Sequence, residues 1–113
     1  SCNRAGDVHV ERMYSLRAEI FKALSHPIRL KIVECVSREE KTVGEIVKYV
    51  DGEASNVSRH LAVLRKAGIL SDRKEGLNIY YQLEIPCVMD FFTCVNKVVK
   101  TRLELNRELL KMI

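Results

Sequence analysis

The sequence has no hydrophobic run approaching the roughly 20 residues that span a bilayer. Residues 1–7 lack the apolar core of a secretory signal. Neither a membrane partner nor export is expected, and the expected location is the cytoplasm. None of the four cysteines (Cys2, Cys35, Cys87, Cys94) belongs to a Cys-x-x-Cys pair, which argues against a structural zinc finger or ribbon. There is no nucleophile–base set, no phosphate-binding glycine loop and no metal triad, so no enzymatic activity and no resident cofactor are expected. Internal repeats and low-complexity segments are also missing. Acid is scarce in one place: residues 54–74 hold Arg59, Arg65, Lys66, Arg73 and Lys74 against Asp72 alone.

What is present is enough for one domain. The chain has 113 residues, 47% hydrophobic and 30% charged, with a net charge of +4. That balance favours folding over disorder and is compatible with nucleic acid. Residues 1–7 are expected to be mobile, and residues 8–113 to form a single domain. Val10, Met13, Leu16, Ile20, Phe21 and Leu24 recur at helical spacing from Val8 onward. Pro27 suits the first turn of a second helix, where a missing N–H costs nothing. Its expected buried face is Ile28, Leu30, Ile32, Val33 and Val36, and His26 is placed as its cap.

Residues 38–41 read as a polar loop. Thr42 and Glu45 form a capping box that opens a short third helix over 43–50. Asp51-Gly52 is a turn, and a fourth helix follows over 55–67, stopped by Gly68. Leu61, Val63, Leu64 and Ile69 are assigned to the core. Residues 69–74 and 78–83 read as two strands, the second with Ile79, Tyr81 and Leu83 alternating with Tyr80 and Gln82. Residues 85–113 read as a long last helix with Pro86 near its start and a stripe of Val88, Phe91, Phe92, Val95, Val98, Val99 and Leu103. The expected fold is mainly α with a small β-hairpin, a winged helix-turn-helix that dimerises through its N- and C-terminal helices.

The fourth helix is the candidate reader of a DNA groove. Ser55, Asn56, Ser58, Arg59 and His60 stand near its start, and Arg73 and Lys74 follow on the hairpin. Asn reads adenine and Arg reads guanine in the major groove by paired hydrogen bonds. Serines near a helix start more often hold phosphate, and Arg73 and Lys74 on the wing are expected to contact phosphate or the minor groove. Each has a plainer reading: His60 packed under the hairpin, Arg59 solvated, the basic run a solvated face.

Three blocks then resemble a known family. They are Phe21-Lys-Ala-Leu-Ser-His-Pro-Ile-Arg-Leu30, Val57-Ser-Arg-His-Leu-Ala-Val-Leu-Arg-Lys-Ala-Gly-Ile-Leu70 and Ile79-Tyr-Tyr-Gln-Leu83. Over about residues 16–95 the chain resembles the ArsR/SmtB repressors of bacteria and archaea. The resemblance implies a homodimer that holds operator DNA and leaves it when an inducer binds. Two of the family's metal sites are not implied. The segment before the reading helix, 42–50, has no cysteine. Ile85, Cys87, Val98 and Thr101 fall where a zinc-type site on the last helix would need Asp and His. Glu53 also departs from the small cap residue usual in the family.

Cys87 and Cys94 are the candidate inducer and metal residues. Cys87 follows Pro86 in what reads as the first turn of the last helix, where exposed N–H groups favour a thiolate. Cys94 lies among Phe91, Phe92, Val95 and Val98 and reads either as a thiol sensor or as a small buried hydrophobe. Seven residues separate the two, about 10.5 Å along a helix, too far for a disulfide or a shared ion within one helix. Cys35, Cys2 or a second subunit would have to join them. Arsenite or another thiophilic ion, an oxidant or a persulfide are the inducers that thiols suit. Two alternatives remain: a repressor sensing an organic metabolite between the first and last helices, and a winged helix that binds protein rather than DNA. The salt dependence of DNA retention separates the last of these from the others.

Overall fold

A computed structural model describes residues 4–113, with side chains described from residue 6 onward. The order is α1 (Arg4–Leu24), α2 (Pro27–Cys35), β1 (Lys41–Thr42), α3 (Val43–Val50), α4 (Ala54–Lys66), β2 (Leu70–Glu75), β3 (Asn78–Leu83) and α5 (Val88–Leu110). Helix α1 begins at Arg4, four residues before the expected start, and the rest of the segment expected to be mobile lies outside the described residues. Helix α5 begins at Val88 rather than at Ile85, because Ile85, Pro86 and Cys87 form a turn closed by the Val88 N–H to the Ile85 carbonyl.

The caps follow from local chemistry. The His26 Nδ1 accepts from the Ile28 N–H at 3.1 Å, and Pro27 sits at the first helical position of α2. The Thr42 Oγ1 accepts from the Glu45 N–H at 3.2 Å while the Glu45 carboxylate accepts from the Thr42 N–H at 3.0 Å, completing the box. Gly68 takes a φ of 83° after α4. There the Gly68 N–H reaches the Arg65 carbonyl and the Ile69 N–H the Leu64 carbonyl, a Schellman closure that glycine makes without strain. A two-residue tip, Gly76-Leu77, joins β2 to β3, with Glu75 opposite Asn78.

Strand β1 lies where the sequence suggests only a polar loop and a cap. It adds to β3, with Lys41 opposite Tyr81 and Thr42 opposite Tyr80, and gives a three-stranded antiparallel sheet in the order β1-β3-β2. Two residues are too few to show alternation, so the segment carries no strand signal of its own.

The core gathers Ile32 and Val33 of α2, Ile46 of α3, and Val57, Leu61 and Leu64 of α4, all fully buried, and Ile69, just before β2, closes it together with Leu70, Tyr81 and Leu83 of the sheet. Two expected core residues lie outside it. Val63 is 39% exposed, on the flank of α4 toward α1. Leu30 is 40% exposed and lines a groove against Phe91 and Phe92 of α5. Ile79, expected only as part of the strand alternation, is exposed on the wing.

Helices α1 and α5 carry most of their apolar side chains on the surface. Val88 is the buried residue of α5, while Phe91, Val95, Val98, Val99 and Leu103 are exposed. The rings of Phe21 and Phe91 meet at 5.8 Å and join the two helices at one end. The radius of gyration is 18.2 Å, against about 13 Å for a compact chain near this length. Among the described residues, no helix is long and apolar enough to cross a membrane.

Leu61→Ala removes a fully buried side chain from the middle of α4. It is expected to cost about 2–5 kcal/mol, measured by urea unfolding at fixed protein concentration. A loss well below that range would place Leu61 at a site that collapses around the gap.

Candidate nucleic-acid interface

Helix α4 is amphipathic because Val57, Leu61 and Leu64 recur at helical spacing and bury one face. The face left to solvent carries Ser55, Ser58, Arg59 and Ala62 at i, i+3, i+4 and i+7, all exposed. Four of the five residues expected to read DNA lie on or beside this stripe. Asn56 is half-buried, and its Oδ1 accepts from the Arg59 Nη2 at 3.2 Å, so the two side chains hold each other on one side of the helix. Ala62 carries no hydrogen-bonding group, and only its i+7 position marks it. A small apolar side chain there suits a thymine methyl.

His60 turns elsewhere. Its half-buried ring lies 4.3 Å from that of His26 and braces α4 against the capped start of α2. Burial pulls its pKa below the ordinary histidine value of 6.5, and the nearby His26, Arg29 and Arg59 push the same way. This matches the packed reading of His60, although the neighbour is His26 rather than the hairpin.

The start of α4 is open. Glu53 is its N-cap residue, but the carboxylate makes no capping bond. The first N–H groups of the helix are therefore not taken by a cap side chain, a favourable arrangement for an anion, with the exposed Glu53 charge opposing it.

The wing cations differ from each other. Arg73 donates from Nε to Glu40 Oε2 at 3.0 Å and from Nη2 to the other Glu40 oxygen, and it also pairs with Glu75. Its guanidinium carbon lies 4.5 Å from the centre of the Tyr80 ring. The pairing holds the Glu40 carboxyl below its ordinary range. Lys74 is exposed and has no ion pair among the described residues. Nothing in sequence ties Glu40 to Arg73, 33 residues away; β1 brings the two together.

The cysteines are dispersed. Cys35 is buried at the end of α2, where burial pushes its thiol up, partly opposed by Lys41. Cys87 is exposed as the N-cap residue of α5, not within its first turn, and makes no capping bond. Cys94 is exposed on α5, not buried among the phenylalanines. Cys2 lies outside the described residues. Among the described residues no three His, Cys, Asp or Glu side chains stand close enough to hold a metal ion.

Because folding lowers the His60 pKa, the native state favours the neutral ring. Its contribution to stability is complete above the ordinary value of 6.5 and is lost as the pH falls through the lowered native value. His60→Gln is expected to flatten the fall in Tm on acidification below pH 6.5, read by thermal scans. An unchanged slope would assign that dependence to other groups.

A model described as "Bacterial regulatory protein, arsR family" matches residues 26–72, from the cap of α2 into the wing. An uncharacterized HTH-type transcriptional regulator of Mycobacterium tuberculosis is 37% identical over 90 residues, 79% of each chain. The crystal structure of M. tuberculosis Rv0081 superposes with a TM-score of 0.69 at 35% identity, covering 81% of this chain and 93% of that one. The transcriptional repressor SdpR of Bacillus subtilis is 34% identical over 63% of this chain and 79% of its own. The homodimeric winged helix-turn-helix DNA-binding domain Mb0332 of Mycobacterium bovis, a possible ArsR-family regulator, gives a TM-score of 0.70 at 25% identity, covering 92% of each chain. With capped helix, turn, amphipathic fourth helix and wing in the same order, the chain belongs to the ArsR family of DNA-binding transcriptional repressors.

Proposed function

We propose that this protein is a homodimeric repressor whose α4 helices read two operator half-sites and whose inducer acts through thiols on α5. The solvent-facing stripe of Ser55, Ser58 and Arg59 on α4, beside the Lys74 wing, carries the reading. In this proposal Asn56 and Arg59 contact base edges, Ser55 and Ser58 hold phosphate at the open helix start, and Lys74 follows the backbone. His60 positions α4 through His26. Arg73 is held in reserve by Glu40.

The second subunit is proposed on energetic grounds. Fully burying a side chain such as Phe91 or Leu103 is worth about 1.5–3 kcal/mol, and both stand exposed with their neighbours along one helix. Pairing α1 and α5 with their twins covers them and sets the spacing of the two α4 helices. Cys87 and Cys94 lie on or at the start of the same α5, both accessible in one chain. Bonding to a thiophilic ion such as arsenite, or oxidation or persulfidation, would change how the subunits cross. A tenfold loss of operator affinity needs only about 1.4 kcal/mol of preference for the released state.

The test is an operator-release titration of the reduced protein against arsenite, cadmium, zinc, persulfide and peroxide. Release by one of these in the native protein, blunted in Cys87→Ser and Cys94→Ser with DNA affinity intact, is the expected result. Normal release in both variants would remove the thiols from sensing and leave the repressor.

Arg59→Ala is expected to weaken operator binding by about 1–3 kcal/mol. Glu40→Ala frees Arg73 to neutralise one further phosphate, which is expected to steepen the fall of log affinity with log salt by about 0.9. Fluorescence anisotropy across a salt series reads both. An unchanged slope would keep Arg73 off the DNA.

A further inference from the structure

A cleft of about 640 Å³ opens between the second half of α1 and the second half of α4, with Arg29 of α2 beneath it. Leu16, Ile20 and Ala23 form one wall, and Val63 and Ala67 the other. Val63 lines this cleft and is exposed, although Leu61 and Leu64 close to it on α4 are buried. Its charges are uneven: Lys22, Arg29 and Lys66 line it against one acid, Glu19. The Nε of Arg29 is shielded from solvent and has no hydrogen-bond partner. A buried, unmet donor of a cation is costly unless an anion completes it.

We propose that this cleft is a binding site for an amphipathic organic anion, a carboxylate on an aliphatic or aromatic body. The apolar walls take the body, the cationic Arg29 side chain that lines the cleft attracts the carboxylate, and Lys22 and Lys66 add long-range attraction. The volume lies in the range of small-molecule sites. A bare phosphate would leave the apolar walls unused, which argues against the cleft as a seat for the DNA backbone. The site is distinct from the thiols, because α5 does not line it. Given the DNA-binding role proposed above, occupancy lowers operator affinity. Val63, Lys66 and Ala67 lie on or at the end of the helix that carries Ser55 and Arg59, so the ligand both wedges α4 from α1 and places negative charge beside a surface meant for phosphate.

Decanoate is a suitable probe, measured by calorimetry on the full chain without DNA. Saturable binding is expected, about tenfold weaker in Arg29→Gln, weaker in Lys66→Gln, and abolished in Val63→Trp, which fills the cleft. Decyltrimethylammonium and decanol should bind far more weakly. Lys66 and Val63 are at the surface, so these two variants test the site even if Arg29→Gln does not fold. Lack of saturable uptake would overturn the proposal, as would uptake indifferent to the Lys66 and Val63 variants. So would equal competition by inorganic phosphate, which would mark a phosphate seat. Dissociation of an oligomer by Val63→Trp, with no decanoate binding to the native protein, would assign the cleft to a second copy of the chain. Operator anisotropy with and without decanoate is the separate arm. Decanoate bound without any operator binding keeps the site and sinks the DNA reading. Operator bound and unmoved by saturating decanoate overturns the coupling.

Discussion

The orientation of α4 is the constraint on which the molecule's use depends. Val57, Leu61 and Leu64 bury one face of this 13-residue helix in a core shared with Ile32, Val33 and Ile46. A helix held by three buried side chains on one face cannot roll without exposing them. The stripe of Ser55, Ser58, Arg59 and Ala62 therefore stays outward. The same core fixes α2, whose start is capped by His26, and the His26–His60 contact adds a second point of registration. The exposed stripe stands in place because buried residues on the opposite face hold the helix.

Electrostatics refine that frame. The basic character of residues 54–74 is real in sequence, but its cations are not equally available. Arg73 is divided among Glu40, Glu75 and the face of Tyr80, while Lys74 is open to solvent. Exposed ion pairs contribute little to stability, so the pairing matters more for availability than for folding. The wing therefore carries one tethered and one open cation.

The legible part of the fold was the part written in local chemistry. The Thr42–Glu45 box, Pro27 at its helix start, His26 as a cap and Gly68 as a stop are encoded within a few residues each, and each is found. The placement of Ser55, Ser58 and Arg59 on one exposed stripe follows from helical spacing in the same way. What could not be read depends on distant segments meeting. Strand β1 has two residues and no pattern of its own. Val63 and Leu30 carry core-like side chains but line clefts against α1 and α5. Cys87 stands at the N-cap of α5 rather than in its first turn because residues 85–87 turn before the helix begins.

The sequence by itself determined the helix and hairpin order, the caps and the amphipathic fourth helix, since each rests on residue type and spacing along the chain, and it carried the blocks on which the family resemblance rests. Only the tertiary structure decided that His60 braces rather than projects, that Arg73 is paired with Glu40, and that Arg29 Nε lies shielded without a partner beside an apolar cleft. Those outcomes come from packing angles and loop paths between segments tens of residues apart, and no local pattern records the distance between two side chains that meet only after folding.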